Sequence, residues 1–522
     1  MTPEPSNVLM SLLLVAVPML FLLGAAHSRR QALTTQPRVP VCHLSSAVPL
    51  AGLTIVAGLS LWQWLAPVTP LAGLSGNPLT LTLLTLVLLL ALVILPFSQR
   101  YMAGDRRADH YARWLQRTLA AVTLVLISDH LLLFWVGWVM ISLSLHKLLM
   151  TYPERPRAAL GAHKKFLLAR LAEISLLAAF VLLYQAHGTA VISQLVATAQ
   201  TAPLDVSSQI ALGLIALTAL IKCAQLPVHG WLIQVTEAPT PVSALLHAGV
   251  INLGGYLLLV FGPLLALADP ARWLLLGVAG LTTLLAALIM TTRISVKVRL
   301  AWSTSAQMGL MLVECALGLY ELALLHLIAH SFYKAHAFLA AGSAVQQHLL
   351  RHFLPAPRTG FRQWALATLW IVPAVTLAAL TVTPAGPFSP WLLLSMALIV
   401  LLARHGGIGW MPWAMLSLAL LMIYSLLKLG AGQLLPESVP LLDPLADAWV
   451  AMLVLALFGL HAWLTRSDSA LARRVNLHLY AGLYLDEWFT RTTLRLWPVR
   501  LPPSLNAKRT ESPAPLHLTQ EY

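Results

Sequence analysis

From residue 7 to residue 465 the chain repeats one pattern, apolar runs of membrane length separated by polar loops. The runs fall near 7–26, 45–65, 78–97, 112–128, 130–150, 164–186, 207–226, 241–262, 271–291, 299–319, 321–345, 363–383, 389–403, 409–429 and 446–465. A hydrocarbon layer about 30 Å thick is crossed by about 20 residues of helix. Inside it each backbone N–H and C=O must find a partner, which leaves helices and closed barrels. These runs are too long for barrel strands and apolar on nearly every face, so they predict an all-α polytopic membrane protein of about 13–15 transmembrane helices. The shortest, 389–403, reads as half of a broken helix.

Charge supports this count and excludes other classes. Only 10% of residues are charged, against about 25% in soluble domains. The net charge of +14 is spread over loops between spans and forms no nucleic-acid-binding face. Arg29, Arg30 and Arg38 follow the first span; Arg100, Arg106, Arg107 and Arg113 the third; Arg155, Arg157, Lys164 and Lys165 the fifth. Arg293, Lys297 and Arg299 share that side with Arg351, Arg358 and Arg362, whereas the other side holds Arg272 and little else. The positive-inside rule then places the N-terminus in the periplasm and the C-terminus in the cytoplasm of a bacterial inner membrane. The opening MTPEPSNVLM lacks the basic start of a cleavable signal, so the first span is expected to be retained. Cys42, Cys223 and Cys315 form no CxxC, and no P-loop, GxGxxG after a strand, GxSxG or HExxH is present. The expectation is a transporter subunit with no catalytic residues, cofactor or metal of its own.

Polar residues within the spans carry the functional reading, because an ionisable group at mid-bilayer costs about 2.5–3.5 kcal/mol on insertion scales and marks an ion or proton path. Lys222 lies in an apolar helix that Pro227 should break. A second break at Pro239 and Pro241 starts another helix, with Thr240 placed to cap it and His247 in mid-span. His326, His330 and Lys334 recur at i, i+4 and i+8, on one face over about 12 Å, a stripe suited to proton relay. Glu173 either neutralises Lys222 across a helix interface or pairs locally with Arg170. Glu314, buried in its span, should be functional or paired. Lys428 lines a pore or snorkels outward. Asp129 caps an external turn, and His336 packs on another face. The segment from Asn476 to Pro498, with Asp486, Glu487 and Trp488, reads as an amphipathic helix on the membrane surface or against a partner, and the stretch from Pro502 as disordered.

The stretch IKCAQLPVHGWLIQVTEAPTPVSALLHAGV (Ile221 to Val250) closely resembles the signature of antiporter-like proton-translocating subunits, the large membrane subunits of respiratory complex I and of Mrp-type cation/proton antiporters. The similarity runs in order through KFLLARLAEISLLAAFVLLY, VKVRLAWSTSAQMGLML and LLHLIAHSFYKAHAFLAAGS, over roughly 100 to 350. It implies two inverted five-helix repeats with broken helices, here 98–262 and 263–430, after an N-terminal unit of 1–97 and before a C-terminal unit of 431–522. It also implies that Lys222 is the central lysine, that His247 belongs to the next helix, that Lys334 with His326 and His330 forms a second half-channel, and that Glu173 stands where an acid is common. Two departures stand out. Family members usually have Gly-Trp-Glu where this chain has Gly137-Trp138-Val139, and no lysine falls in the twelfth or thirteenth span.

SLSLHKLLMTYPERPRA, SFYKAHAFLAAGS and LYAGLYLDEWFTRTTLRLWP are similar to the membrane subunits of DAB-type inorganic-carbon pumps. That resemblance implies a hetero-oligomer with a large cytoplasmic DabA-like zinc subunit, in which inward proton flow drives CO2 hydration to bicarbonate on the partner's zinc. A cation/proton antiporter or quinone-oxidoreductase subunit, and a non-conducting membrane anchor, are the two other readings of the same residues, and Na+ stays open beside H+ as the coupling ion.

Overall fold

The computed structural model describes residues 4–33, 42–199, 203–344, 359–383, 386–405, 410–435 and 443–498. Arg38, Arg351, Arg358 and the stretch from Pro502 lie outside the described residues. Among those described, the elements are helices, with only isolated bridges at Leu74–Ser128 and His130–Val191.

Every expected span corresponds to a helix. The N-terminal ones are α1 (Pro5–Leu33), α2 (Cys42–Leu65), α3 (Pro78–Tyr101), α4 (Ala108–Leu126), α5 (Leu131–Leu149) and α6 (Pro156–His187), followed by the short α7 (Ile192–Ala199). The broken region comprises α8 (Val206–Lys222), α9 (Gly230–Gln234), α10 (Thr240–Ala248), α11 (Leu253–Val260) and α12 (Gly262–Leu265). Then come α13 (Asp269–Thr291), α14 (Val296–Ala316), α15 (Tyr320–Leu339), α16 (Phe361–Val382), α17 (Ser389–His405), α18 (Trp410–Gly432), α19 (Pro444–Arg466), α20 (Ala470–Tyr480) and α21 (Glu487–Leu496). Ten spans are long and apolar enough to cross a membrane by length and composition alone, and Val206–Lys222 and Ser389–Arg404 are shorter apolar helices. The Thr240–Val260 span is the most enclosed of the ten, with 94% of its apolar window buried. Its α10 and α11 therefore lie at the axis of the bundle, with α3, α8, α14 and α15 packed on them.

Loop contacts sort the ends of the helices onto two faces. On the arginine-rich face Arg107 reaches Thr151 O (2.5 Å) and Glu154 (2.8 Å), Tyr152 donates to Asp105, and Arg293 donates to Leu479 O (3.2 Å) and Tyr480 O (2.9 Å). On the other face Asp129 accepts from Ser193 N (2.9 Å) and Ser193 Oγ (2.6 Å), so it ties the α4–α5 turn to the start of α7. There too Arg272 joins Asp269 (2.6 Å), Asp443 (3.4 Å) and Ala316 O (3.0 Å), and Asp447 caps α17 through Phe388 N and Ser389 N, each at 2.8 Å.

Several details differ from the expectation. The helix carrying Lys222 ends at Lys222 itself, ahead of Pro227; the chain turns through Ala224 (φ 51°) and a cis Leu226–Pro227 bond into α9. Thr240 does not cap α10. It is the first helical residue, Pro239 holds the cap position without a side-chain hydrogen bond, and Pro241 follows in the first turn, where its missing N–H costs nothing. Helix α6 begins at Pro156, so Lys164 and Lys165 are helix residues buried in the bundle and not loop charges. His336 is exposed. The Asn476–Pro498 segment is two short helices, α20 and α21, joined by a turn with positive φ at Gly482, Leu483 and Tyr484.

Candidate functional site

Two clusters of buried polar groups flank the broken region. The first surrounds the end of α8. Lys222 Nζ lies 4.7 Å from the centre of the Trp138 ring, a cation–π contact that replaces some of the hydration lost on burial. Among the described residues no carboxylate forms an ion pair with it. Across a cavity of about 30 Å3, room for a water, stands Lys165, whose Nζ donates to Ser142 O at 2.6 Å. Ser142 Oγ donates to Glu173, which is 4% exposed and paired with Arg170 Nη2 at 2.7 Å; Arg170 also reaches Ser142. Glu173 thus takes the local partner and meets Lys165 through Ser142. Trp138, Trp231, Val250 and Ile251 also line the cavity, so the break between α10 and α11 borders the space at Lys222.

The second cluster follows α15. Glu321 near its start pairs with Lys428 Nζ of α18 at 3.4 Å, and this lysine is 6% exposed and turned into the bundle. Glu314 of α14 receives His326 Nδ1 at 3.0 Å, and His326 Nε2 lies 2.9 Å from Gln307 Oε1. One turn further His330 is 4% exposed, its ring 6.3 Å from that of His326, and neither of its ring nitrogens has a protein partner. Lys334, wholly buried, donates to Ser303 Oγ (2.7 Å) and Leu300 O (3.1 Å). Thr304, beside Ser303, meets His247 Nδ1 at 3.1 Å, and His247 stacks on Phe338 at 4.3 Å. Thr304 Oγ1 also donates to Leu300 O (2.9 Å), the carbonyl that Lys334 bonds, so one turn of α14 joins the α15 stripe to the central helix.

The stripe of His326, His330 and Lys334 lies on one face as the spacing requires, and Glu314 is paired. Lys165, Ser142, Ser303, Thr304 and Glu321 were not singled out from the sequence, and Lys428 was, without its partner. Lys165 carried a signal, since it lies at the start of the membrane-length run 164–186, whose helix begins at Pro156. The serines and threonines carried none. Asp486 faces its own chain: its carboxylate binds Lys164 Nζ at 2.6 Å and Gln234 Nε2 at 3.1 Å. Glu487, paired with Arg491 at 3.2 Å, and Trp488 are exposed. Among the described residues no group of three or more His, Cys, Asp or Glu is placed to hold a metal ion.

A polytopic helical bundle whose broken central helices are lined by buried charged groups has the architecture of antiporter-like membrane subunits. The comparisons agree. The NADH:quinone oxidoreductase/Mrp antiporter transmembrane family model matches residues 128–405. The chain is 45% identical to the probable inorganic carbon transporter subunit DabB of Hydrogenovibrio crunogenus, over 96% of this chain and 97% of that one. It is 37% identical to the probable subunit DabB2 of Halothiobacillus neapolitanus, over 82% and 81%. A chain of the Mrp complex from Dietzia sp. shares the fold with a TM-score of 0.55 at 21% identity; the match takes in 95% of this chain and 58% of that longer one. The chain belongs to the NADH:quinone oxidoreductase/Mrp antiporter membrane family, and within it to the DabB-type subunits.

Proposed function

We propose that the chain is the proton-conducting membrane subunit of an inorganic-carbon accumulation complex. The reading rests on one observation, the row from the Glu321–Lys428 pair through Glu314–His326 and His330 to Lys334. From Glu321 to Lys334 it covers about 20 Å of helix rise. The protons enter from the periplasmic face at Glu321 and Lys428. They pass along the α15 stripe to Lys334, cross through Ser303 and Thr304 to His247, and reach the Lys165–Lys222 cavity on the cytoplasmic side. Each hop uses a side chain that can hold a proton or a hydroxyl that can relay one, and His330, with both nitrogens open, completes the row through water. The names of the DabB relatives support inorganic carbon as the substrate and a second subunit as the partner. In this reading that partner is a large cytoplasmic zinc protein, catalysis takes place on it, and proton flow makes CO2 hydration one-way.

The test is reconstitution. The purified complex in liposomes should dissipate an imposed pH gradient, and Lys222→Ala or Lys334→Ala should cut that flux at least ten-fold while the complex still assembles. The same variants should fail to rescue growth at ambient CO2. Unchanged flux in both would refute the path. The absence of an ion-paired acid for Lys222 among the described residues, with Val139 in the sequence after Gly137-Trp138, favours a second reading as a non-conducting anchor; a wild-type complex that leaves the gradient intact would establish it.

A further inference from the structure

The short helix α9 separates two cavities. On one side Trp231 lines the small space shared by Lys165 and Lys222. On the other, His229, Gly230, Ile233 and Gln234 line a cavity of about 530 Å3 at the arginine-rich face. The opposite wall of the larger cavity is the C-terminal segment, through Gly482, Tyr484, Asp486 and Thr490. Two consecutive lysines of α6 divide in the same way. Lys165 faces the small cavity, while the wholly buried Lys164 donates to Asp486 Oδ2 and Thr490 Oγ1, each at 2.6 Å.

One carboxylate grips both ends of α9. Gln234 at its end donates to Asp486 Oδ2 at 3.1 Å. Gly230 at its start lies directly beneath the carboxylate: a Cβ there would stand 1.7 Å from Asp486 Oδ1 and 2.0 Å from its Cγ. Only glycine gives Asp486 this seat. The ammonium that anchors the carboxylate has no exposed surface, so removing the carboxylate leaves it uncompensated, and removing the ammonium takes the carboxylate's ion-pair partner away.

We propose that Asp486 is a positioning residue of the transport path, latching α9 as the closed wall between the Lys165–Lys222 cavity and the inner-face cavity. The proposal rests on the reading that protons pass through Lys222. With the latch seated, the lysine cavity is shut on this side. Lifting the C-terminal segment frees Gly230 and Gln234, and a helix this short moves as a unit to join the two cavities. Besides the hydrogen bonds and the ion pair, the motion gives up the burial of Phe489 and the stacking of Trp497 on His163 (ring centroids 3.8 Å apart), which hold the latch closed at rest.

The experiment compares proton leak through the purified complex in liposomes with no inorganic carbon supplied. Asp486→Asn should raise the leak at least five-fold. Lys164→Met should do the same from the other partner, and Gly230→Ala should too, since its Cβ takes the place of the carboxylate. Adding Lys222→Ala to any of them should return the leak to baseline. Co-purification of the partner and thermal unfolding report assembly; if Asp486→Asn does not assemble, Gln234→Ala, which removes one strut of the grip, carries the same expectation. Wild-type leak in assembled Asp486→Asn and Gly230→Ala, with transport still lost in Lys222→Ala, overturns the latch and leaves the path standing. Leak that persists in Asp486→Asn/Lys222→Ala also overturns it, because the wall would then guard no lysine route. Transport unaffected by Lys222→Ala alone removes the underlying path and the latch with it.

Discussion

At the scale of single residues, the α15 row makes a sharp demand on His330. It sits between an acid-paired imidazole and a buried ammonium, with neither ring nitrogen satisfied by protein. A group that only filled space there would be apolar, because an unpaired buried polar group costs about 1–3 kcal/mol. His330→Phe keeps a planar ring and removes both nitrogens. Flux in liposomes should fall at least ten-fold with thermal stability equal to or above wild type; a stable variant with full flux would show that His330 is packing. Outside the membrane, Asp105 offers a pH-dependent joint. The Tyr152 hydroxyl that donates to it holds its carboxyl below the ordinary value of 3.8, and burial pushes the Tyr152 phenol up to about 12. Because the folded value is the lower one, the stabilisation is present above the unfolded pKa and is lost as pH falls through the folded pKa. Tyr152→Phe should weaken this loop joint by about 1 kcal/mol near neutrality and make it open at a higher pH on acidification. Hydrogen exchange of the 102–108 and 150–156 loops, followed against pH, reads both effects.

Among the elements, the close approach of α11 to the end of α8 fixes where Lys222 sits. A Cβ at Gly254 would lie 2.5 Å from Cys223 Sγ and 3.0 Å from Ala219 O, so the backbones meet through the glycine. Gly254→Ala should push α11 away, lowering the thermal stability of the purified complex by about 1–3 kcal/mol and disturbing the Lys222 environment. An impermeant thiol reagent reaching the normally buried Cys223 would confirm the displacement, and unchanged stability and labelling would count against it. These contacts also mark how far sequence reasoning carries at this scale. Helix positions follow from hydrophobic runs, and Pro227, Pro239 and Pro241 announced the broken region, because a missing N–H acts locally. Where the helix stops is another matter. Helix α8 ends at Lys222, ahead of Pro227, because Ala224 N and Gln225 N turn back onto Ile221 O and Leu220 O, and α6 starts at the first-turn Pro156 well before its apolar run, so the run marks neither point.

For the whole molecule, the two faces defined by the loop contacts allow a direct test of orientation. In the proposed topology position 205 faces the periplasm and position 467 the cytoplasm. In intact cells an impermeant maleimide should label Asp205→Cys directly and Ser467→Cys only after permeabilisation; the reverse pattern would invert the topology. Orientation also decides the direction of the proposed row: with the N-terminus in the periplasm, the Glu321–Lys428 pair would be the entry and the latch by Asp486 the exit.

The sequence by itself determined that the chain is a helical membrane protein, which loops share a face, and that Lys222, His247 and the His326–His330–Lys334 stripe lie in the interior. Those properties depend on hydrophobic length and helical period, which act over a few turns. The tertiary structure alone decided which charge meets which. It gave Glu314 to His326, Lys428 to Glu321 and Lys222 to the Trp138 ring, and it turned Asp486 inward onto Lys164, a partner 322 residues away. A buried charge must be matched by whatever packing brings within a few ångströms, and that is a property of the bundle and not of any one helix.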